Sequence, residues 1–518
     1  MILDYTILAL YAISMVAIAF IAKNNSGSVN DFLLAGKKGL NGWMTAFSYG
    51  TTYFSAVIFI GYAGQFGKTF GLASVWIGVG NAILGTLIAW LVLAKRTRNM
   101  TKRLGAKTMP EFFEKRYGSK GIKLVSAILI FVFLIPYSAS VYNGLSTLFE
   151  IVFDIKGWVV MIALAALTAL YLCFGGYFAT ALSDFIQGII MIAGVFCMIV
   201  CFMNHENIQW NISELVNNPN LTWFTFGGEN SSGIYGTTVS LISLMLLTSV
   251  GVWGLPQTIH KYYAIRDKKA IQQGIIVSTA FAFIVGFIAY FTGTLSHFFP
   301  EELAHIAPGA YEKIIPTMLK AVIPTGLIGL ITVLLLSASM STLASVSLTS
   351  ASVVAVDIYK GRINKNSSEK QVNLLMRLLC FAFVALSVII AMLNDRFGIA
   401  AIAYMMGISW GTLSGCFTGP FVIGLLWKRI SRPAVWASII SSPVLTAILI
   451  LLFGYDKGAW NCTLGQAIKN GVSTSPLIGV ICITFSVVIT VIVTLLTKAP
   501  EKEFIHNAFD VHFEDEIK

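Results

Sequence analysis

Long apolar runs separated by short polar segments dominate this chain. Many runs reach the ~20 residues that a helix needs to cross a bilayer, and they are longer than the ~10-residue alternating strands of a membrane barrel. Only helices and closed barrels satisfy every backbone group in lipid. The pattern predicts an all-α membrane protein with about 13 transmembrane helices, at 4–22, 41–66, 71–94, 124–148, 157–175, 179–202, 236–259, 271–296, 316–356, 372–393, 398–427, 433–453 and 474–497.

Two predicted spans contain an interruption. Residues 49–55 read YGTTYFS in the second span, and residues 251–257 read GVWGLPQ in the seventh. Proline removes a backbone donor, and glycine weakens a helix, so unbroken helices are disfavoured there. Discontinuous helices in corresponding positions are typical of secondary transporters with inverted repeats. The alternative is that Gly and Pro are simply common in membrane helices.

The two interruptions lie five spans apart, which predicts a five-plus-five inverted-repeat core containing two broken helices. The 316–356 run is too long for one span and predicts a short amphipathic segment before the helix proper. The predicted divisions are a leading transmembrane helix and inner loop at 1–35, a first inverted repeat at 36–205, an external loop at 206–235, a second inverted repeat at 236–430, two peripheral transmembrane helices at 431–497 and a cytoplasmic tail at 498–518.

Composition supports the membrane assignment and limits the partners. Of the 518 residues, 56% are hydrophobic and 11% charged, against about 25% charged in soluble domains. The net charge of +11 first suggests nucleic acid. However, with the N-terminus outside, 28 of the 35 Lys and Arg residues, Lys261 among them, fall in predicted cytoplasmic segments. This is the asymmetry expected of membrane proteins, so we expect a lipid bilayer and no nucleic acid as partner, with the C-terminus inside.

The ninth predicted span carries a stripe of hydroxyl groups. Ser337, Ser341, Ser345 and Thr349 recur at every fourth residue on one helical face, with Thr342 beside them. Hard oxygen ligands with little fixed charge suit a sodium ion, and a broken helix supplies further carbonyl oxygens. The alternative is that these small residues only permit close helix packing.

One acidic residue lies inside a predicted span. Asp184 falls a little over one turn into the sixth span, and ionisable residues at such depth are costly and commonly functional. The alternative is a carboxylate at a helix start, stabilised there by the helix dipole. Asp357, at the end of the ninth span, is interpreted as a boundary residue.

Several motifs together resemble the sodium/solute symporter family, which includes bacterial pantothenate, proline, sialic acid and sugar carriers. The resemblance extends from about residue 31 to 432. It implies a sodium-coupled secondary active symporter, not an enzyme, that imports a small organic solute across the bacterial cytoplasmic membrane by alternating access. The motifs are DFLLAG at 31–36, SAVIFIG at 55–61, GGY at 175–177, SDFIQG at 183–188, GLP at 254–256 before RD at 266–267, and ASMST at 338–342 leading to DIY at 357–359.

The resemblance also implies the sodium ligands. Family members use two backbone carbonyls at the first break, which match Thr51 and Phe54. They add a set on the later helix, which matches the carbonyl of Ala338 and the hydroxyls of Ser341 and Thr342.

Some members have a second sodium site that uses an acid matched here by Asp184. Ser345 matches one of its hydroxyls, but Ala344 replaces another, so a second sodium at Asp184 and Ser345 is left open.

The resemblance narrows the solute only to a small organic molecule, such as a carboxylate like pantothenate, an amino acid or a sugar. Tyr137 matches a tyrosine of the proline carriers, whereas Val57 stands where those carriers have a different side chain. Residues 267–270 (DKKA) look most like the pantothenate carriers. The pocket candidates are Tyr53, Ser55, Ile58, Tyr137, Thr248 and Val252.

Three alternatives stay open: a proton-coupled symporter of the same fold, a sodium-permeable channel and a membrane sensor. The sequence contains no G-x-x-x-x-G-K-[ST] loop and no H-E-x-x-H motif, which disfavours a primary pump and a membrane metalloprotease.

Overall fold

The computed structural model describes residues 2–22, 27–34, 40–219, 221–224, 234–398 and 400–509. Within these ranges the chain is helical, apart from turns and one isolated parallel bridge between Leu40 and Ile265. Residues 35 and 36 of the DFLLAG motif lie outside the described residues. The all-α expectation is therefore confirmed for the part of the chain that the structure covers.

Twenty-three α-helices follow one another along the described residues. The first half contains α1 Ile2–Ala22, α2 Val29–Leu34, α3 Gly42–Tyr53, α4 Ala63–Phe70, α5 Val75–Ala82, α6 Lys95–Leu104, α7 Met109–Tyr117, α8 Lys120–Phe153, α9 Gly157–Asn204, α10 Ser213–Asn217, α11 Thr237–Val250 and α12 Pro256–Tyr263. The second half contains α13 Lys268–Thr294, α14 Pro300–Leu303, α15 Ile314–Val322, α16 Ile328–Ser352, α17 Glu369–Phe397, α18 Ile402–Thr418, α19 Gly424–Leu426, α20 Arg432–Lys457, α21 Leu464–Val472, α22 Ser475–Leu496 and α23 Lys502–Phe509.

Tighter and wider helical turns join or extend these helices. The 3₁₀ segments are Gly71–Ser74, Gly251–Gly254, Leu295–Phe298 and Tyr311–Lys313. The π-helical segments are Val57–Tyr62, Ile83–Ile88, Trp90–Ala94, Val353–Ile363 and Gly419–Ile423.

Ten helical stretches among the described residues are long and apolar enough to cross a membrane, or eleven if one bent pair is included. The expected count of 13 is higher. The difference arises because Val57–Leu104 and Gly157–Asn204 are each continuous over 48 residues. At 1.5 Å per residue such a stretch would be about 72 Å long, more than twice the apolar thickness of a bilayer. Gly71 and Gly176, both with a φ of 56°, interrupt the regular backbone within them.

Both expected interruptions are confirmed. Helix α3 ends at Tyr53, within the predicted second span. In the predicted seventh span, α11 passes through a 3₁₀ turn at Gly251–Gly254 and then bends by 47° into α12. Pro256 is the first residue of α12, where its missing N–H costs nothing.

The predicted 316–356 run also divides as expected. Helix α15 ends at Val322, and α16 begins at Ile328. Helix α16 is the most enclosed span, since 94% of its apolar window is buried, whereas the figure for α1 is 28%. It packs against α1, α3, α8, α9 and α17. The hydroxyl-rich segment of α16 therefore lies inside the bundle and not against lipid.

Candidate functional site

The break after α3 exposes the carbonyl end of a helix inside the protein. Phe54 has an extended backbone (φ −97°, ψ 107°), and its N–H donates to the carbonyl of Gly50. The chain resumes as the π-helical turn Val57–Tyr62. The last carbonyls of a helix have no intrahelical donor, and the dipole gives that end partial negative charge. The end of α3 therefore presents buried oxygens that suit a cation.

Glycine allows this broken helix to lie close to its neighbour. A Cβ atom on Gly50 would be 2.5 Å from the Phe281 ring of α13. On the other side of the break, the Ser55 side chain accepts a hydrogen bond from the N–H of Val57 at 3.3 Å. Close packing before the break and a local cap after it thus hold the interruption in place.

Helix α16 brings its hydroxyls directly against the end of α3. Ser341 donates to the Thr51 hydroxyl at 2.8 Å. The Thr342 hydroxyl lies 3.2 Å from the Thr52 carbonyl and 3.1 Å from the Ala338 carbonyl. All these residues are buried. Four of the five residues predicted to bind sodium thus meet at one place, although Thr51 makes its contact through the hydroxyl and not through the predicted carbonyl.

Two neighbouring contacts extend this junction. The fifth predicted ligand, Phe54, is buried at the break, and no described hydrogen bond joins it to α16. The next connection is the N–H of Ala56, which donates to the Ser339 hydroxyl at 3.2 Å. The α3 carbonyl that contacts Thr342 belongs to Thr52, which was not among the ligands implied by the family resemblance.

Asp184 lies beside this junction, together with a lysine that sequence reasoning missed. Ser48 donates to Asp184 at 2.5 Å. The Lys261 ammonium lies 2.8 Å from the Ser48 hydroxyl, 2.8 Å from the Ser345 hydroxyl and 3.4 Å from the Asp184 carboxylate. The Ser345 hydroxyl is also 2.9 Å from that of Thr52. Lys261 therefore stands between the two residues considered for a second sodium.

The expected position of Lys261 on the inner surface is wrong. Its side chain is 1% exposed, because α12 continues to Tyr263 instead of ending near 259. The exposed charged segment begins only at Arg266. A signal for this was present, since Lys261 lies between Ile259 and the pair Tyr262-Tyr263. Asp357, interpreted above as a boundary residue, is likewise 2% exposed and lies 3.6 Å from Lys123.

The six pocket candidates are all buried but divide into two groups. Tyr53 and Thr248 are hydrogen-bonded to each other, since the tyrosine hydroxyl donates to the Thr248 carbonyl at 2.5 Å. The Thr248 hydroxyl in turn lies 2.8 Å from the Asn81 side chain. These two residues fasten the first broken helix to α11. Val252 lies in the 3₁₀ turn of the second break, and Ile58 in the π-helical turn of the first.

The second group centres on Tyr137 and on Trp410, which was not predicted. Their rings meet edge to face with centroids 5.5 Å apart, and Trp410 also contacts the Tyr53 ring at 6.2 Å. The Tyr137 hydroxyl lies near the hydroxyls of Ser55 and Thr342. It and the Trp410 indole N–H are buried without a well-formed hydrogen bond to any described residue. Two donors are thus available beside the candidate sodium ligands.

A cavity of about 490 Å³ opens farther along α8. Asn143, Asn394, Glu312 and Tyr404 are among its lining residues. Asn143 is six residues beyond Tyr137, or about 9 Å along the helix. Burial raises the pKa of Glu312 above its usual range. The cavity places polar groups at the end of the helix that carries Tyr137.

Comparison with known proteins adds a family to this geometry. The model of the Sodium:solute symporter family matches residues 32–441. The osmoregulated proline transporter OpuE of Bacillus subtilis (strain 168) is 28% identical over 500 residues, which cover 96% of this chain and 95% of OpuE. The high-affinity proline transporter PutP of the same strain is 26% identical over 441 residues, covering 84% and 89%.

One solved structure is similar over nearly its whole length. It is the substrate-bound, outward-open state of a Na+-coupled sialic acid symporter, in which a novel Na+-site was found. The superposition has a TM-score of 0.76 and covers 96% of this chain and 98% of that one, at 16% sequence identity. At this identity the likeness shows the fold alone.

Proposed function

Because the chain belongs to the sodium:solute symporter family, we propose that it is a sodium-coupled symporter that imports a small organic solute by alternating access. Family and fold together make it a multi-pass membrane transporter. One observation carries the sodium proposal: the last turn of α3 contacts α16 through two hydroxyls, with Ser341 on the Thr51 hydroxyl and Thr342 on the Thr52 carbonyl.

The proposed sodium ligands are the carbonyls of Thr51, Phe54 and Ala338 and the hydroxyls of Ser341 and Thr342. This donor set fits sodium, because all five groups are hard, uncharged oxygens within a buried region. A sodium ion there attracts the carbonyl end of α3 and the hydroxyl face of α16 at once. It therefore favours the arrangement in which these two helices are close.

The proposed solute pocket shares a wall with this site. Tyr137 lies near Thr342, so an ion that orders Thr342 also orders the surface that the solute meets. Coupling of this kind is reciprocal, and each ligand raises the affinity for the other. A membrane potential of 100 mV supplies about 2.3 kcal/mol for each charge that enters, which is enough to drive accumulation of the solute.

For the solute we propose a small molecule with a hydrogen-bond acceptor such as a carboxylate, for example an amino acid or a pantothenate-like acid. The Tyr137 hydroxyl and the Trp410 indole N–H lie near each other without a well-formed hydrogen bond. They support this choice, because buried donors with poor hydrogen bonds favour a ligand that accepts from them. The relatives OpuE and PutP are proline transporters, so proline is the first candidate to test.

For the topology we propose thirteen crossings in a bacterial cytoplasmic membrane, with the N-terminus outside and the C-terminus inside. Dividing each 48-residue stretch at Gly71 or Gly176 and counting the bent pair once raises ten crossings to thirteen. The repeats would then occupy 36–205 and 236–430, with an external loop at 206–235, flanking helices at 1–35 and 431–497 and the tail at 498–518.

The test begins with the purified protein. Thermal stability is measured with proline, pantothenate, sialic acid and galactose, in sodium and in potassium at equal ionic strength. A ligand that binds only the folded state raises the midpoint. We expect one solute to raise it in sodium alone. A shift that is equal in potassium would favour proton coupling, and flux that never saturates with solute would favour a channel.

Two substitutions then test the sodium ligands. We expect Thr342→Val, which keeps the shape and removes the hydroxyl, to raise the sodium concentration for half-maximal uptake by about tenfold, corresponding to about 1.4 kcal/mol. Ser341→Ala should act in the same direction. Ser347→Ala is the matched control, because this buried serine of α16 makes no side-chain hydrogen bond to a described residue. Unchanged sodium dependence in both site variants would contradict the ligand assignment.

A further inference from the structure

We propose that the Lys261 ammonium is a built-in cation that fills a second cation position, so that the transporter binds one sodium ion per cycle and not two. The inference rests on the proposed sodium-coupled function and specifies its stoichiometry. Its basis is the cluster of Lys261, Ser48, Asp184 and Ser345, which is connected through Thr52 to the proposed sodium ligand Thr342.

The contacts of Lys261 are those of a bound monovalent cation. Its ammonium meets oxygens of Ser48 on α3, Asp184 on α9 and Ser345 on α16, at 2.8, 3.4 and 2.8 Å. An ammonium has three N–H donors and no acceptor, so these three oxygens match its full capacity. Because Ser48 donates its own proton to Asp184, its oxygen is free to accept from the lysine.

The charges leave no place for another cation at this point. Asp184 and Lys261 are both fully buried, and Lys261 is the only cation within ion-pair distance of Asp184 in the described residues. The pair is neutral as it stands. A sodium ion among the same oxygens would place two like charges in contact in a buried region, and burial of an uncompensated charge is strongly unfavourable.

The Lys261 ammonium also connects the two broken spans. Lys261 lies on α12, which follows the second break, and its contacts Ser48 and Ser345 lie on α3 and α16. Ser345 continues the chain of hydrogen bonds to Thr52, whose carbonyl contacts Thr342. A free ion would have to bind and leave in each cycle, whereas the lysine stays with its helix. Its charge therefore contributes to structure without adding to the sodium that is carried.

The experiment counts sodium ions on the purified full-length protein. Binding of 22Na+ is measured by scintillation proximity as a function of sodium concentration, with choline as the replacement ion. The wild type is expected to bind one sodium per molecule with a Hill coefficient near 1. Lys261→Ala should bind two, with a Hill coefficient above 1, because the oxygens of Ser48, Asp184 and Ser345 become free. Adding Ser48→Ala to that variant should return the count to one.

Lys269→Ala is the control for loss of a lysine nearby, since Lys269 is exposed at the start of α13, and it should still bind one ion. Two sodium ions on the wild type would overturn the inference without any variant, which covers the case in which Lys261→Ala does not fold. A folded Lys261→Ala protein that still binds one ion would also overturn it. No sodium on the wild type would instead contradict the proposed function on which the inference rests.

Discussion

Two lysine–aspartate pairs with a fully buried carboxylate can be compared among the described residues, and their surroundings differ. Lys261 and Asp184 have only each other as charged partners among the described residues, and the hydroxyls of Ser48 and Ser345 contact the lysine. Lys123 is 3.6 Å from Asp357 and 2.8 Å from Glu114, and its side chain is 12% exposed. The first pair has no substitute for either partner, whereas the second is redundant.

The second pair has a structural explanation. Asp357 accepts a hydrogen bond from Thr108 at 2.9 Å, and the same threonine caps the start of α7. The cluster thus ties α7 and the start of α8 to the π-helical segment that continues α16. The Lys261–Asp184 pair does not join such connecting segments. It lies beside the proposed sodium ligands. Complete burial and the lack of a second charged partner therefore distinguish the Lys261–Asp184 pair from the Lys123–Asp357 pair.

The largest effect is expected from Asp184→Asn. The substitution leaves the Lys261 ammonium buried without its counter-charge, which costs about 3–5 kcal/mol in the free energy of unfolding. We expect the greatest fall in thermal midpoint of any variant considered, together with loss of sodium-dependent uptake. A thermal midpoint close to that of the wild type would show that Lys261 does not depend on Asp184 as its one counter-charge. The two lysine–aspartate pairs would then no longer differ in this respect.

A smaller effect is expected from Asp357→Asn. Lys123 keeps Glu114 as a partner, and the amide oxygen can still accept from Thr108, so we expect a loss of about 1 kcal/mol, within the range for one hydrogen bond. The sodium concentration for half-maximal uptake should not change. If this variant altered sodium dependence as much as Thr342→Val, the cluster would have to be counted as part of the transport machinery.

The smallest effect is expected at the surface of α7. Lys115 pairs with Glu111 at 3.0 Å, and the two side chains are 35% and 16% exposed. Such (i, i+4) pairs contribute about 0.3–0.5 kcal/mol. Lys115 also donates to the Gly105 carbonyl at 2.8 Å. Lys115→Gln should therefore lower the thermal midpoint slightly, and by less at high salt than at low salt, because salt screens exposed charges. A loss as large as that of Asp357→Asn would contradict this ranking by burial.

The broken helices and the hydroxyl face could be predicted because their signals are local. Glycine and proline disfavour a continuous helix wherever they stand, and hydroxyls four residues apart share a face of any helix. The segments near Tyr53, Gly254 and Ser341 could therefore be predicted from the neighbouring residues in the sequence. The count of crossings was harder to match, since the kink at Gly176 leaves the series of helical hydrogen bonds nearly continuous.

Lys261 could not be placed in this way, because its partners are distant in sequence. Ser48, Asp184 and Ser345 are 213, 77 and 84 residues away from it. A lysine just past an apolar run is ordinarily taken as an anchor at the membrane surface. Only the tertiary arrangement, in which α12 turns inward after a bend of 47°, brings it to the centre. Trp410 was missed for the same reason, because its contact with Tyr137 joins α8 to α18.

The most direct test of the account is the joint uptake of 22Na+ and the identified solute into proteoliposomes that contain the wild-type protein. We expect solute uptake that requires an inward sodium gradient and carries one sodium ion for each solute molecule, and we expect Thr342→Val to need more sodium for the same rate. Solute uptake that proceeds equally well without a sodium gradient would contradict it.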